Sequence, residues 1–352
     1  MTTAVNQVAL ANLQNTTLAQ LLPIEKSAEI LPCFISMHNG SLLIEDTFEL
    51  STAFTASSTS KNMFDETTEL VVFSHISLSV FSQLIEKCQI TLSELNAINV
   101  RNNLTSYRFT VGVNDITQAR KHLVQFNIDN KIESILIENS PKLSTPGVLL
   151  MDMDSTTIKI ECIDELAVLA GVGEQVAEVT ELAMQGKLDF AQSLHQRVGT
   201  LAGSPVSILE TVVNELPLME GLETLVKELQ KHQWRVAIAS GGFTYFADHL
   251  KSLLSLDSAV ANTLEIVDGK LTGKVLGDVV DAQAKADNLL SLAAQYNISE
   301  SQMVAMGDGA NDLVMMNAAA LGVAFHAKQL VVDKADVGIN LLGLDCLLHW
   351  LK

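Results

Sequence analysis

Cysteine is scarce in this 352-residue chain. Cys33, Cys88, Cys162 and Cys346 are far apart, with no CxxC pair and no Cys/His neighbours at zinc spacing. A disulfide framework and a structural zinc site are therefore excluded, and the four read as small buried hydrophobes in a reducing compartment. Basic residues are also few, with 22 Lys and Arg against 41 Asp and Glu, for a formal charge of −19. No Lys/Arg cluster supplies the positive face that nucleic-acid phosphates require, so no nucleic-acid partner is expected. Long hydrophobic runs are absent too. No uncharged stretch reaches the ~20 residues that span a bilayer, so no membrane partner is expected. The opening MTTAVNQVALANLQNTT has neither a basic start nor a continuous apolar stretch. No secretory leader is read there, and a cytoplasmic location is the expectation.

What is present is ample apolar content, 48% of residues, in a chain long enough for two or three domains. Residues 1–62 are the least legible and stay unassigned. Within them CFISMHNGSLLIED predicts a hairpin turning at Asn39-Gly40, and the Ser/Thr-rich stretch Ser51–Asn62 reads as a loop or linker. Residues 63–140 carry a clearer rhythm. ELVVFSHI, LSELNAINVRNN, SYRFTVGVN and KIESILIEN read as strands. SLSVFSQLIEKCQ and DITQARKHLVQFNID read as helices, with Ser77 or Ser79 and Asp115 as N-cap candidates. That strand–helix–strand–strand–helix–strand order is ferredoxin-like, and the segment resembles the ACT family of small regulatory domains in pattern. The turn FSHISLS lacks the Gly that ligand-binding members of that family often carry there.

From residue 145 to 352 strands and helices alternate, which predicts an α/β domain with a mainly parallel sheet. VLLMD, RVAIAS and MVAMGD are short apolar runs suited to strands buried on both faces, and each ends in a polar cluster. Ligands of open α/β sheets bind at the carboxyl ends of strands, so three such clusters point at one site. A mostly helical insert at about 166–218 exceeds what one crossover needs and reads as a cap. Further on, LEIVDGKLTGKVLG predicts a hairpin turning at Asp268-Gly269.

The first cluster is Asp152-Met153-Asp154-Ser155-Thr156, whose two acids lie two residues apart on extended chain and can face one way. Phosphoryl transfer needs a nucleophile, a proton donor for the leaving oxygen, and positive charge. Asp152 suits the first role and Asp154 the second. The second cluster, Ser240-Gly241-Gly242, offers a hydroxyl and backbone N–H groups just before a helix, an anion cradle. In the third, Gly307-Asp308-Gly309-Ala310-Asn311-Asp312, an acid flanked by glycines suits a hard cation such as Mg²⁺. Lys285, early in a helix, could clamp a phosphate. Taken alone, Asp152-Met153-Asp154-Ser155 reads first as a solvated turn, Ser240-Gly241-Gly242 as a common loop, the third cluster as another Asp/Gly turn, and Lys285 as part of a solvated face. None of the eight His residues is assigned a catalytic role.

In this order, DMDST, SGG, Lys and GDGAND resemble the four motifs of the haloacid dehalogenase superfamily over about 200 residues from Thr145 onward. The resemblance implies a Rossmannoid parallel sheet with a small helical cap, a Mg²⁺ cofactor and a phospho-aspartyl intermediate. By it, Asp152 matches the nucleophile and Asp154 the general acid/base. Asp152, Asp154 (through its backbone carbonyl) and Asp308 match the metal ligands. Ser240, Gly241 and Lys285 match the phosphate binders, with Lys285 counted as catalytic. Asn311 matches a substrate-side residue, Asp312 an acid behind the ligands, and Thr156 a motif hydroxyl. DMDSTTIKIECIDELA, ELAMQGKLDFAQSLHQRV, ASGGF and GDGAND further resemble the phosphoserine phosphatase family, in its bacterial form with an added N-terminal ACT-like domain. That resemblance implies that Glu161 holds a substrate amine, Arg197 a substrate carboxylate, and Met184 and Phe190 an apolar cover. It also implies hydrolysis of O-phospho-L-serine as the last step of L-serine biosynthesis.

Two alternatives remain at this level: a related phosphotransferase or phosphatase for another small metabolite, and an amino-acid sensor whose enzyme domain has lost activity. Intact Asp152, Asp154, Lys285 and Asp308 argue against the sensor. The N-terminal third has three readings: binding serine to regulate, mediating a homodimer, or only packing.

Overall fold

The computed structural model describes residues 2–24, 30–45, 47–48, 55–60 and 68–352. It divides into two compact units, one formed by 1–140, 340–342 and 346–352, the other by 141–339 and 343–345.

The first unit is one eight-stranded sheet. Its strands are β1 (Thr2–Ala9), β2 (Cys33–His38), β3 (Ser41–Glu45), β4 (Thr55–Ser60), β5 (Thr68–Phe73), β6 (Ile90–Arg101), β7 (Leu104–Val113) and β8 (Ser134–Glu138). They lie in the order β4-β1-β3-β2-β6-β7-β5-β8. The helices are α1 (Leu18–Leu21), α2 (Leu78–Lys87) and α3 (Ile116–Asn130). Asn39-Gly40 turns β2 into β3 as expected, and Asn102-Asn103 turns β6 into β7, all four residues at positive φ as a tight hairpin with matched twist requires. Ser77 and Asp115 accept from Val80 N and Gln118 N and so cap α2 and α3. The buried face of α2, Leu78, Phe81, Leu84 and Ile85, joins the core formed with Leu70, Val72, Leu92, Phe109 and Val111 from the strands. Residues 68–138 thus have ferredoxin-like order, with β6-β7-β5-β8 antiparallel.

Two expectations differ here. Of the Ser51–Asn62 stretch, Thr55–Ser60 is a strand paired with β1 rather than a loop, and the remainder lies outside the described residues. A polar edge strand has the composition of a linker, and the ladder with β1 decides its structure. The last seven residues group with this unit and not with the α/β unit. The Arg108 guanidinium, paired with Glu69 at 2.7 Å, donates to the carbonyls of His349, Trp350 and Leu351 at 3.0 Å each. Burying that cation demands such acceptors.

The second unit runs β9 (Val148–Met151), α4 (Cys162–Ala170), α5 (Gly173–Met184), α6 (Phe190–Thr200), α7 (Ser207–Asn214), α8 (Leu222–Lys231), β10 (Arg235–Phe243), α9 (Thr244–Leu254), β11 (Ser258–Val267), β12 (Lys270–Leu276), α10 (Ala282–Gln295), β13 (Met303–Gly307), α11 (Leu313–Ala318), β14 (Leu321–Phe325), α12 (Gln329–Val332) and β15 (Val337–Ile339). The sheet order is β12-β11-β10-β9-β13-β14-β15, parallel except for β12. Every residue of β9, β13 and β14 is buried, as both-face coverage demands. The chain leaves β9 toward β10 and β11, then returns through α10 to β13 on the other side. The switch point therefore falls between β9 and β13, where open α/β sheets bind ligands. The four helices α4–α7 make up the insert after β9. The β11–β12 hairpin, turning at Asp268-Gly269 (φ 49° and 72°), braces it through Gly203 N donating to Leu271 O at 2.8 Å.

Candidate active site

The Asp152 backbone N–H, one residue past β9, donates to Met306 O of β13 at 2.9 Å, which fixes its carboxylate at the switch point. The next residues wrap over one carbonyl: Thr156, Thr157 and Ile158 N–H all point at Met153 O. This tight loop, with Ser155 in the left-handed region (φ 56°), returns Asp154 and Glu161 to the same side.

Asp152 is buried, and its Oδ1 accepts from Met153 N at 2.7 Å and from Lys285 Nζ at 2.8 Å. Lys285, 1% exposed, also meets Asp312 Oδ1 at 2.7 Å. Burial works against its ammonium, but the two carboxylates outweigh burial and hold its pKa above the ordinary lysine value. α10 delivers this lysine from a first turn capped by Asp281, which accepts from Ala284 N at 2.9 Å.

Asp154 Oδ1 accepts from Cys162 N, at the start of α4, at 3.2 Å. Burial first, then the charge of Glu161, pushes its carboxyl up to about 8, against the Cys162 hydrogen bond. Burial and the Glu161 charge thus favour the protonated form of Asp154, the form that can donate a proton.

Asp152, Asp308 and Asp312 each place a carboxylate oxygen within 4.8 Å of the others. Burial and the Asp152 charge raise Asp308 to about 6, against a 3.0 Å hydrogen bond from Thr156 Oγ1. Asp312 spends Oδ1 on Lys285 and Oδ2 on Gly309 N at 3.0 Å. It thus stands behind the cluster, while Asp152 and Asp308 keep oxygen lone pairs for a cation. Such a crowd of carboxylate oxygens could hold a hard divalent ion.

The Ser240-Gly241-Gly242 loop borders the same space. Ser240 Oγ accepts from Gly242 N at 2.8 Å, which aims its own O–H away from the loop. Neither glycine has room for a side chain. A Cβ on Gly241 would lie 2.5 Å from Phe190 Cζ, and one on Gly242 2.7 Å from Asp154 Oδ2. The cap ring of Phe190 thus rests on bare backbone.

A cavity of about 200 Å³ is lined by Asp152, Asp154, Glu161, Phe190, Arg197, Ser240, Gly241, Asp308 and Asn311, together with Ile163, Leu194, Gly242 and Phe243. Lys285 supports it from behind through Asp152. Ser155 Oγ donates to Glu161 Oε1 at 2.7 Å. Burial raises the Glu161 pKa, while the Ser155 hydrogen bond and, less, the positive charge of Arg197 oppose the rise. Burial lowers Arg197, and the charges of Asp164, Glu161 and Asp154 oppose it. Arg197 Nε is buried without a hydrogen-bond partner.

Met184 is the exception. It ends α5, is 73% exposed, and lines a different groove with Asp164, Val168 and Glu181. The chain turns away at Gly186 (φ 71°), so the structure does not bring Met184 to the cavity. Leu194 was missed although its spacing could have found it: 190, 194 and 197 share one face of α6. Ile163 and Phe243 had no comparable signal. The four cysteines are buried, as expected.

Residues 147–320 match a family model described as a haloacid dehalogenase-like hydrolase. A phosphoserine phosphatase of Haemophilus influenzae is 57% identical over 225 residues, 64% of this chain and 72% of that protein. A crystal structure of a probable phosphoserine phosphatase from Vibrio cholerae, in unliganded form, matches at 46% identity and a TM-score of 0.68, covering 81% of this chain and 86% of that one. A structure described as a phospho-aspartyl intermediate analogue of phosphoserine phosphatase matches at 41% identity and a TM-score of 0.56, covering 59% of this chain and all of that one. The chain belongs to the haloacid dehalogenase-like hydrolases and, within that class, to the phosphoserine phosphatase family. Among the described residues, no helix is long and apolar enough to cross a membrane.

Proposed function

We propose that this chain hydrolyses O-phospho-L-serine to L-serine and phosphate, through a phospho-aspartyl intermediate on Asp152, as the last step of L-serine biosynthesis in the cytoplasm. One observation carries the reading. Asp152, paired from behind with the buried Lys285, shares a small cavity with a second acid, Asp154, a further carboxylate, Glu161, and the guanidinium of Arg197.

A carboxylate oxygen of Asp152 attacks phosphorus and the ester P–O bond breaks. Asp154 gives its proton to the departing serine oxygen. Asp154, now a base, takes a proton from water. The hydroxide displaces the Asp152 oxygen from phosphorus, which frees phosphate and regenerates the carboxylate. Ser240 O–H and Gly241 hold the phosphoryl oxygens, Lys285 lends its positive charge from behind Asp152, and Asn311 borders the same corner. Glu161 takes the substrate ammonium and Arg197 its carboxylate, while Phe190 and Leu194 keep water off the ester. Mg²⁺ is the expected cofactor, held by Asp152, Asp308 and the Asp154 backbone carbonyl, and supplies charge neutralisation for the phosphoryl group.

For residues 63–140 we keep the ACT-like reading, supported by the β-α-β-β-α-β order of β5 to β8. Serine binding, homodimer formation and simple packing are the three candidate roles of the N-terminal third.

Phosphate release from L-phosphoserine with Mg²⁺, beside phosphothreonine and an aryl phosphate, tests the reading. A marked preference for phosphoserine supports it. Turnover of the aryl ester with little of phosphoserine would leave the aspartyl chemistry and remove the substrate. Transfer of the phosphoryl group to an added alcohol in place of release would make the chain a phosphotransferase.

A further inference from the structure

We infer that Asn262, which is not among the residues lining the site cavity, is the positioning residue that locks the phosphate cradle to the helix delivering Lys285. The inference rests on the proposed phosphoryl-transfer reading and deepens it.

β10 and β11 pair in register at Ala239↔Val260, and pairing resumes at Phe243↔Asn262. Three residues of β10, Ser240, Gly241 and Gly242, therefore stand against Ala261 alone. The cradle is a bulge, and a bulge leaves its backbone groups without ladder partners. Asn262, 1% exposed, repairs the gap: its Nδ2 donates to Gly241 O at 2.8 Å. On its other side Asn262 Oδ1 accepts from Val280 N at 2.9 Å. Val280 directly precedes the N-cap of α10, and Lys285 follows in that helix's first turn. One buried amide thus holds both the loop facing the phosphoryl oxygens and the segment that aims the lysine at Asp152.

The chemistry demands an amide. It must donate on one side and accept on the other at a fixed short separation. A carboxylate would set a charged oxygen against Gly241 O. Leucine of similar shape would leave both backbone groups buried and unpaired. A bulge moved by about 1 Å costs on the order of 100-fold in rate.

The test uses Asn262→Asp and Asn262→Leu in the full chain, with folding checked by circular dichroism. Both variants should lose roughly 100-fold in kcat/KM on phosphoserine and on an aryl phosphate alike, because both esters share the phosphoryl corner. The preference between the esters should not move, since Glu161 and Arg197 are untouched. Inorganic phosphate should inhibit the variants more weakly than the parent chain. Folded variants within about threefold of parental kcat/KM overturn the inference, as does a loss confined to phosphoserine. Should neither variant fold, amide hydrogen exchange of the parent chain decides: a fast-exchanging Val280 N–H refutes the lock, and a protected one upholds it. That exchange readout does not depend on catalysis. An inactive parent chain with a protected Val280 would sink the functional reading and leave the lock in place.

Discussion

Replacing Lys285 by Met removes an ammonium while keeping an apolar stem of similar length. Its Nζ lies 2.8 Å from Asp152 and 2.7 Å from Asp312, and all three side chains are buried. The change leaves two carboxylates facing one another with Asp308 close by. Removing one partner of a buried ionic network costs about 3–5 kcal/mol, because the remaining charges lose their compensation without regaining water. For a unit of this size each kcal/mol shifts the melting temperature by about 2–4 °C, so the loss is on the order of 10 °C. The assay is thermal unfolding followed by circular dichroism in EDTA at pH 8 and pH 5.5. Carboxylates with raised folded-state pKa values stabilise the fold when protonated, and that contribution fades as pH rises through those values. The variant's deficit should therefore be smaller at pH 5.5 than at pH 8, and Mg²⁺ at pH 8 should recover part of it. A deficit within about 2 °C, or one independent of both pH and metal, would refute the reasoning.

Other outcomes follow from the same geometry. Arg197→Ala should lower kcat/KM for phosphoserine by about 100-fold, the cost of a charged hydrogen-bonded anchor, and leave an aryl phosphate within a few-fold. Equal losses on both esters would remove Arg197 as the carboxylate anchor. In EDTA, the parent chain should lose stability as pH rises toward 8, through the raised values of Asp308 (about 6) and Asp154 (about 8). Asp154→Asn should abolish the part of that slope near pH 8, and an unchanged slope would mean Asp154 is ionised there. EDTA should silence phosphate release and Mg²⁺ restore it, and full activity in EDTA would contradict the cation reading of Asp152 and Asp308.

The sequence exposed the site because the chemistry sits where short apolar strands stop. VLLMD, RVAIAS and MVAMGD are β9, β10 and β13, and their polar ends meet at one switch point. Hairpin turns were legible at Asn39-Gly40 and Asp268-Gly269, since positive φ favours Asn, Asp and Gly. What stayed hidden depends on distant partners. Thr55–Ser60 is a strand only because β1 pairs with it. The tail grouping follows from Arg108, about 240 positions away, collecting its carbonyls. Asn262 looks like any polar strand residue until the bulge opposite it is known. Met184 carried a role by resemblance alone, and the end of α5 sets it on the outside of the cap.

The central claim is the covalent step. Phosphoserine labelled with ³²P, mixed with the Mg²⁺-loaded chain and quenched in acid within milliseconds, should leave label on the protein. The bond should be labile to alkali and hydroxylamine, as an acyl phosphate is, and peptide mapping should place it on Asp152. A burst of free phosphate with no labelled protein, or stable label in the Asp152→Asn chain, would contradict the account.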